Sequence, residues 1–169
     1  MMTNPVIDQD GDKGWYNEEG QLHRDNGPAI EWADGDKYWY QNGQRHRDNG
    51  PAVEWAHGSK EWYQNGQLHR DNDLPAIEWK NGDKWWYQKG QRHRDNGPAI
   101  ENSNGTKHWY QNGQRHRDNN LPAVEYASGD KFWWQNGQRH RDNDLPAVEL
   151  ADGTKEYWIN GVLKSKSNP

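Results

Sequence analysis

The chain has 169 residues and a formal net charge of -5, with 12 Trp, 8 Tyr and 1 Phe but no cysteine. The acidic balance argues against a general nucleic-acid binder, which is basic overall, and the missing cysteine excludes disulfides, thiolate zinc sites and cysteine nucleophiles. No long apolar run exists, which argues against a transmembrane helix or a secretory signal; the expectation is a cytoplasmic protein of a bacterial cell or an infected host.

A mean hydropathy of -1.55 would normally indicate disorder. The aromatic residues reverse that expectation, since each can bury roughly 150–250 Å² and together they can build a thin core.

Residues 5–20, "PVIDQDGDKGWYNEEG", read as a degenerate N-terminal cap hairpin. Residues 28–161 carry six further hairpins, and residues 162–169, "VLKSKSNP", form a C-terminal cap or tail whose Lys164 and Lys166 guard a sheet edge. Residues 1–169 are one repeat domain in this reading.

Each repeat has two glycine turns. Asp34-Gly35 and Asn42-Gly43 stand for the two series, and glycine supplies the positive φ that primed hairpin turns require. Between them lies an aromatic strand such as "DKYWYQN"; before the first lies a strand such as "PAVEWAH". The period of two puts Tyr38 and Tyr40 on the side opposite to Trp39. No ten-residue window lacks a helix breaker. The predicted fold is all-β: seven tandem β-hairpins in an elongated, twisted antiparallel meander. A one-coil-per-repeat solenoid would stack Arg on Arg and Glu on Glu, which is unfavourable.

The string His-Arg-Asp-Asn occurs six times, at His23, His46, His69, His93, His116 and His140, spaced by 23 or 24 residues. The extra residue always enters where "DNGPA" becomes "DNDLPA" or "DNNLPA", which marks a surface loop. His-Arg-Asp also marks the kinase catalytic loop, but that loop needs an Asn five residues after the Asp, and here Val53 follows Asp48 at that distance. Equivalent histidines roughly 9–10 Å apart in a meander cannot share one zinc ion. No catalytic residue, metal or cofactor is expected. Six strings between seven hairpins behave as linkers. His46 and its equivalents satisfy linker backbone, Asp48 and Asn49 form an Asx-type turn, and Arg47 pairs with a nearby Glu such as Glu54.

The competing reading makes the arginines a binding row. Arg47, Arg70, Arg94, Arg117 and Arg141 lie within the linkers. Arg45, Arg92, Arg115 and Arg139 share a position that is Leu22 and Leu68 in other repeats, and so reads as exposed. Beside Trp39, Trp62, Trp86, Trp109 and Trp133 they would suit an anionic aromatic ligand or an acidic protein surface. Core packing is the alternative for these tryptophans.

"DGDKYWYQNGQRHRDNGPA" resembles the MORN repeat, in its longer bacterial and viral variants. Asp34-Gly35, the aromatic strand Tyr38 to Tyr40, Asn42-Gly43 and His46 match its order of elements, and the match runs from Pro5 to about Leu163. Arg47-Asp48-Asn49 after the His, and Trp39 where the usual repeat has Gly, depart from it. The resemblance implies an elongated antiparallel sheet acting as a protein-interaction scaffold or inhibitor, of phage, viral or immunity type. "KYWYQNG" is also similar to choline-binding repeats, whose aromatic cages take quaternary ammonium groups. Three functions therefore stand open: a protein partner first, a small nucleotide-like anion second, a carbohydrate or choline third. Assembly with copies of itself is also left open.

Overall fold

The computed structural model describes residues 4–169, and all of its regular elements are β-strands. The chain forms two compact units, Met1–Gly82 and Asp83–Pro169. In the first, the strands Val6–Ile7, Lys13–Gly14, Ile30–Glu31, Lys37–Tyr38, Val53–Glu54, Lys60–Glu61 and Ile77–Glu78 pair in that order. In the second the order is Lys84–Trp85, Ile100–Glu101, Lys107–His108, Val124–Glu125, Lys131–Phe132, Val148–Glu149, Lys155–Ile159 and Val162–Ser167. Each unit is an open antiparallel meander of tandem hairpins.

The register shows why the antiparallel order wins. Lys37 pairs with Glu31 on one side and Glu54 on the other, and Lys60 pairs with Glu54 and Glu78. The second unit repeats the row with Lys84, Glu101, Lys107, Glu125, Lys131, Glu149 and Lys155. Opposite charges alternate across the sheet, and each such cross-strand pair contributes roughly 0.2–1 kcal/mol relative to Ala–Ala. The adjacent row points to the other face. There, β-branched residues alternate with a variable position: Tyr38, Val53, Glu61, Ile77 in one unit and Trp85, Ile100, His108, Val124, Phe132, Val148, Glu156 in the other.

The aromatic run between the two turns is two strands, where the sequence reads as one. Lys37–Tyr38 belongs to the sheet, and Tyr40–Gln41 pairs with Gln44–Arg45 in a separate two-stranded ribbon. Trp39 is the corner. Its N–H donates to the Ala52 carbonyl in the sheet (2.8 Å), and its carbonyl accepts from the His46 N–H in the ribbon (3.1 Å). Trp15, Trp62, Trp86, Trp109 and Trp133 make the same two bonds. The corner was hidden because it preserves side-chain alternation: Tyr38 and Tyr40 still lie with Arg45, and Trp39 with Arg47.

The two turn series also differ. Asn42 and Gly43 both have positive φ, 47° and 75°, the type I′ pair that matches strand twist. At Asp34-Gly35 only Gly35 is positive, at 99°. Trp32 N–H donates to the Asp36 carbonyl, and Gly35 N–H donates back to Trp32. This is a type I turn with a glycine bulge, so the expected primed turn is corrected for this series. A longer loop needs one left-handed residue, not two.

The core is thin. Ala29, Ala52, Ala76, Ala99, Ala123 and Ala147 are fully buried, and Val53, Ile77, Ile100, Val124 and Val148 are buried beside them. Trp15, Trp86 and Trp133 are buried, while Trp39, Trp62 and Trp109 are half-buried. At the C-terminus, Val162–Ser167 is a paired strand over most of the segment expected as a cap or tail. Lys166 reaches Glu156 at 3.3 Å.

Candidate functional site

Arg24, Arg47, Arg70, Arg94, Arg117 and Arg141 each place the guanidinium 3.7–3.9 Å from the ring centre of the corner tryptophan of their own repeat. One terminal nitrogen of each donates to a proline carbonyl at 3.0–3.3 Å, from Pro28 to Pro146 in turn. The same nitrogen donates to a glutamate at 2.8–3.1 Å, from Glu31 to Glu149. The linker closes over the group: a Cβ at Gly27, Gly50 or Gly97 would come within 2.9–3.1 Å of the Arg24, Arg47 or Arg94 Cζ. The row with Arg47 is thus stacked, covered and paired within the fold.

The longer linkers reach the same end differently. Asn72-Asp73, Asn119-Asn120 and Asn143-Asp144 are left-handed, with φ of 54–63°. They make a tight turn, closed at Leu74, Leu121 and Leu145 by bonds of 3.3–3.4 Å to the carbonyls of Asp71, Asp118 and Asp142. The loop is exposed, as the insertions predict; Leu74 is 44% exposed.

The linker histidines have a fixed tautomer. The Nδ1 atoms of His23, His46, His93, His116 and His140 accept the N–H of Asn42, Asn65, Asn112, Asn136 and Asn160 at 3.1–3.2 Å. A backbone N–H can only donate, so Nε2 carries the proton and donates to the aspartate two residues on, at 2.9–3.1 Å. Asp48 therefore serves His46, where the sequence suggested an Asx turn. Donation from His69 first, then from Gln64, holds Asp71 below the usual carboxylate range. His46 reaches the turn of the next repeat, a step beyond the linker backbone it was expected to satisfy.

The opposite edge carries a second relay that sequence reasoning missed. Asp12, Asp36, Ser59, Asp83, Thr106 and Asp130 accept backbone N–H groups of Ala33, Ala56, Lys80, Ser103, Ala127 and Ala151 at 2.7–3.3 Å. The available signal was an Asp, Ser or Thr directly after every first-turn glycine.

Arg45, Arg92, Arg115 and Arg139 are half-buried, which corrects the exposed position expected for them. Arg45 donates to the Tyr40 and Tyr63 hydroxyls, both at 3.2 Å. Arg92 donates to Tyr87 and Arg115 to Tyr110, each at 3.0 Å. Arg139 lies 5.0–5.5 Å from the ring centres of Phe132, Trp134 and Trp158, and 3.7 Å from Glu156. Edge-to-face contacts continue the surface from Trp32 through Tyr38 to Trp55, and from His108 through Tyr126 to Phe132. Burial, and then Glu61, push the Tyr63 hydroxyl up to about 12. Burial, with Arg115 and Arg92 nearby, pulls the His108 imidazole down to about 4.

On the linker side, clefts open between successive linkers. One of about 460 Å³ is lined by Arg47, Asp48, Trp62, His69, Arg70 and Asp71 among others. Related clefts of about 360 and 180 Å³ lie beside Trp39 and Trp109. Among the described residues no group of three His, Asp or Glu side chains is spaced to hold a metal. No family model and no curated protein matches the chain.

Proposed function

We propose that the protein is a non-enzymatic β-repeat binding protein, a protein-interaction scaffold or inhibitor, and that in each unit the face carrying this arginine position, with Arg45 in the first and Arg92, Arg115 and Arg139 in the second, is a surface for the partner. The observation that carries this reading is that these arginines are pre-set by phenol hydroxyls and aromatic rings. Trp, Tyr and Arg are the residues that dominate interface energetics. Holding them before binding lowers the entropy lost on association. The repeated His-Arg-Asp-Asn strings argue against catalysis, because histidines such as His46 have both ring nitrogens committed. The likeness of the repeat to bacterial and viral MORN variants extends the reading to a cytoplasmic inhibitor of phage, viral or immunity type.

The test compares wild type with Trp32→Ala/Tyr126→Ala, which removes an exposed aromatic from each unit (43% and 42% exposed). Both are used as bait in lysate of the producing cell and of its host. A defined protein held by wild type, and lost from a variant of unchanged melting temperature, supports the reading. Equal recovery by both, or no recovery, refutes it.

A second reading has its own observation. The linker clefts mix Asp48, Asp71, Asn49 and Gln64 with Arg and Trp, chemistry that fits a neutral polyhydroxy ligand better than an anion. A melting-temperature rise with glycans, absent with nucleotides and choline, would favour it.

A further inference from the structure

Two repeats 47 positions apart can be laid over one another: Arg45 on Arg92, Glu61 on His108, Tyr63 on Tyr110 and Leu68 on Arg115. In the first unit the cluster is complete. Arg45 donates to the Tyr63 hydroxyl at 3.2 Å, Tyr63 donates to Glu61 at 2.9 Å, and the Trp55 indole donates to the other Glu61 oxygen at 3.4 Å. One arginine is balanced by one buried carboxylate.

In the second unit three replacements act in one direction. His108 removes the carboxylate, Arg115 adds a cation, and Asn102 replaces the indole that capped the acid. The cluster changes from neutral to two net positive charges. Arg92 and Arg115 flank one ring, with their guanidinium carbons 5.5 and 5.8 Å from the centre of Tyr110. Both bond phenol hydroxyls. Among the described residues neither forms an ion pair, whereas Arg139 has Glu156 at 3.7 Å. The His108 Nδ1 is buried without a hydrogen-bond partner.

We propose that Arg92, Arg115 and Tyr110 form a docking site for an Asp or Glu side chain of a protein partner, which supplies the carboxylate that Glu61 supplies within the first unit. The proposal rests on the scaffold reading and names the chemistry of the partner at one point. Two guanidinium groups beside a phenol favour a carboxylate by charge and by directed hydrogen bonds. Half-burial among Trp85, Tyr110 and Trp134 lowers solvent screening and strengthens the attraction.

The test is an NMR titration of the full chain with a short capped peptide containing two glutamates, against the same peptide with glutamines. Saturating shifts of the Trp134 indole N–H and the His108 ring with the glutamate peptide alone support the site. His108→Glu and Arg115→Leu install residues the fold already accepts at the equivalent places, so both should fold. Each should weaken binding roughly tenfold or more. Equal shifts with the glutamine peptide, or undiminished binding by both variants, would overturn the proposal. Tighter saturation by inorganic phosphate, with the peptide inactive, reassigns the site to a small anion and overturns the carboxylate assignment. Full recovery of a lysate partner by His108→Glu refutes this inference while leaving the scaffold reading intact. Failure to recover any partner strikes the scaffold reading, and the peptide titration still decides the site.

Discussion

Arg70→Ala probes the repeated joint most directly. The guanidinium is 3.7 Å from the Trp62 ring centre and donates to the Pro75 carbonyl at 3.0 Å and to Glu78 at 2.8 Å. Stacking of this type is worth about 0.5–2 kcal/mol. A hydrogen bond to a charged group nets about 1.5–3 kcal/mol when well buried. Here the Arg and Glu side chains are 23% and 38% exposed, so the pair belongs near the surface value of about 0–1 kcal/mol. Losing the stack, the pair and the donor to Pro75 together costs about 2–3 kcal/mol by these values. For a chain of this length that lowers the melting temperature by roughly 4–12 °C. Arg70→Lys keeps the charge but loses the planar fork and most of the stack, so it should recover less than half. Repeat proteins can unfold in stages, so amide exchange at Trp62 and His69 should accompany the melting curve, with faster exchange expected in both variants. A melting temperature within about 1 °C of wild type for Arg70→Ala, or full recovery by lysine, would refute the stacked joint.

Three further outcomes follow from the same geometry. Replacing Gly50 by Asp-Leu converts the short linker to the long type, and should change stability by no more than about 0.5 kcal/mol in chemical denaturation; Gly50→Ala, with φ at 151° and Arg47 Cζ 3.0 Å from the new Cβ, should cost more. His46→Asn keeps an acceptor where Nδ1 meets the Asn65 N–H, so it should retain part of the roughly 0.5–1.5 kcal/mol that His46→Ala loses, read by melting temperature and Asn65 amide exchange. His108 titrates near 4 in the fold, against about 6.5 when unfolded. The unfolded chain therefore binds more protons between those values, and stability falls as pH drops through the window. After allowance for its partial exposure the loss is about 1–2 kcal/mol. His108→Phe should flatten the pH–stability curve there, and an unchanged slope would count against the half-buried, cation-flanked ring.

The meander was legible because two features are local. Glycines that need left-handed backbone fix the turns, and alternation fixes the faces. What stayed hidden required knowing which groups meet across a repeat. The Trp39 corner leaves no mark, since bending the chain between Tyr38 and Tyr40 does not alter which residues share a side. The Asp36 relay was written in the sequence as a polar residue after each first-turn glycine, but its partner, the Ala56 N–H, lies 20 positions on. Arg45 reads as exposed in the sequence because leucine at two equivalent positions, Leu22 and Leu68, suggests tolerance. Leucine and the arginine stem are both apolar, so the exchange is what a half-buried aromatic setting permits.

The His-Arg-Asp-Asn string draws attention because it recurs, but recurrence here follows from mechanics. His46 must reach the next turn and Arg47 must fill the space between Trp39 and Gly50. Within each unit the joints repeat these contacts, and the same contacts call for the same residues. Recognition of a partner imposes no such uniformity: it needs charge and shape to differ along the surface. The variable row, with Tyr38 and Glu61 in one unit and Trp85, His108, Phe132 and Glu156 in the other, has that freedom, because its neighbours are β-branched residues that pack against any of them. Substitutions in the linker should therefore register as lost stability, and substitutions in the variable row as altered binding on an unchanged fold.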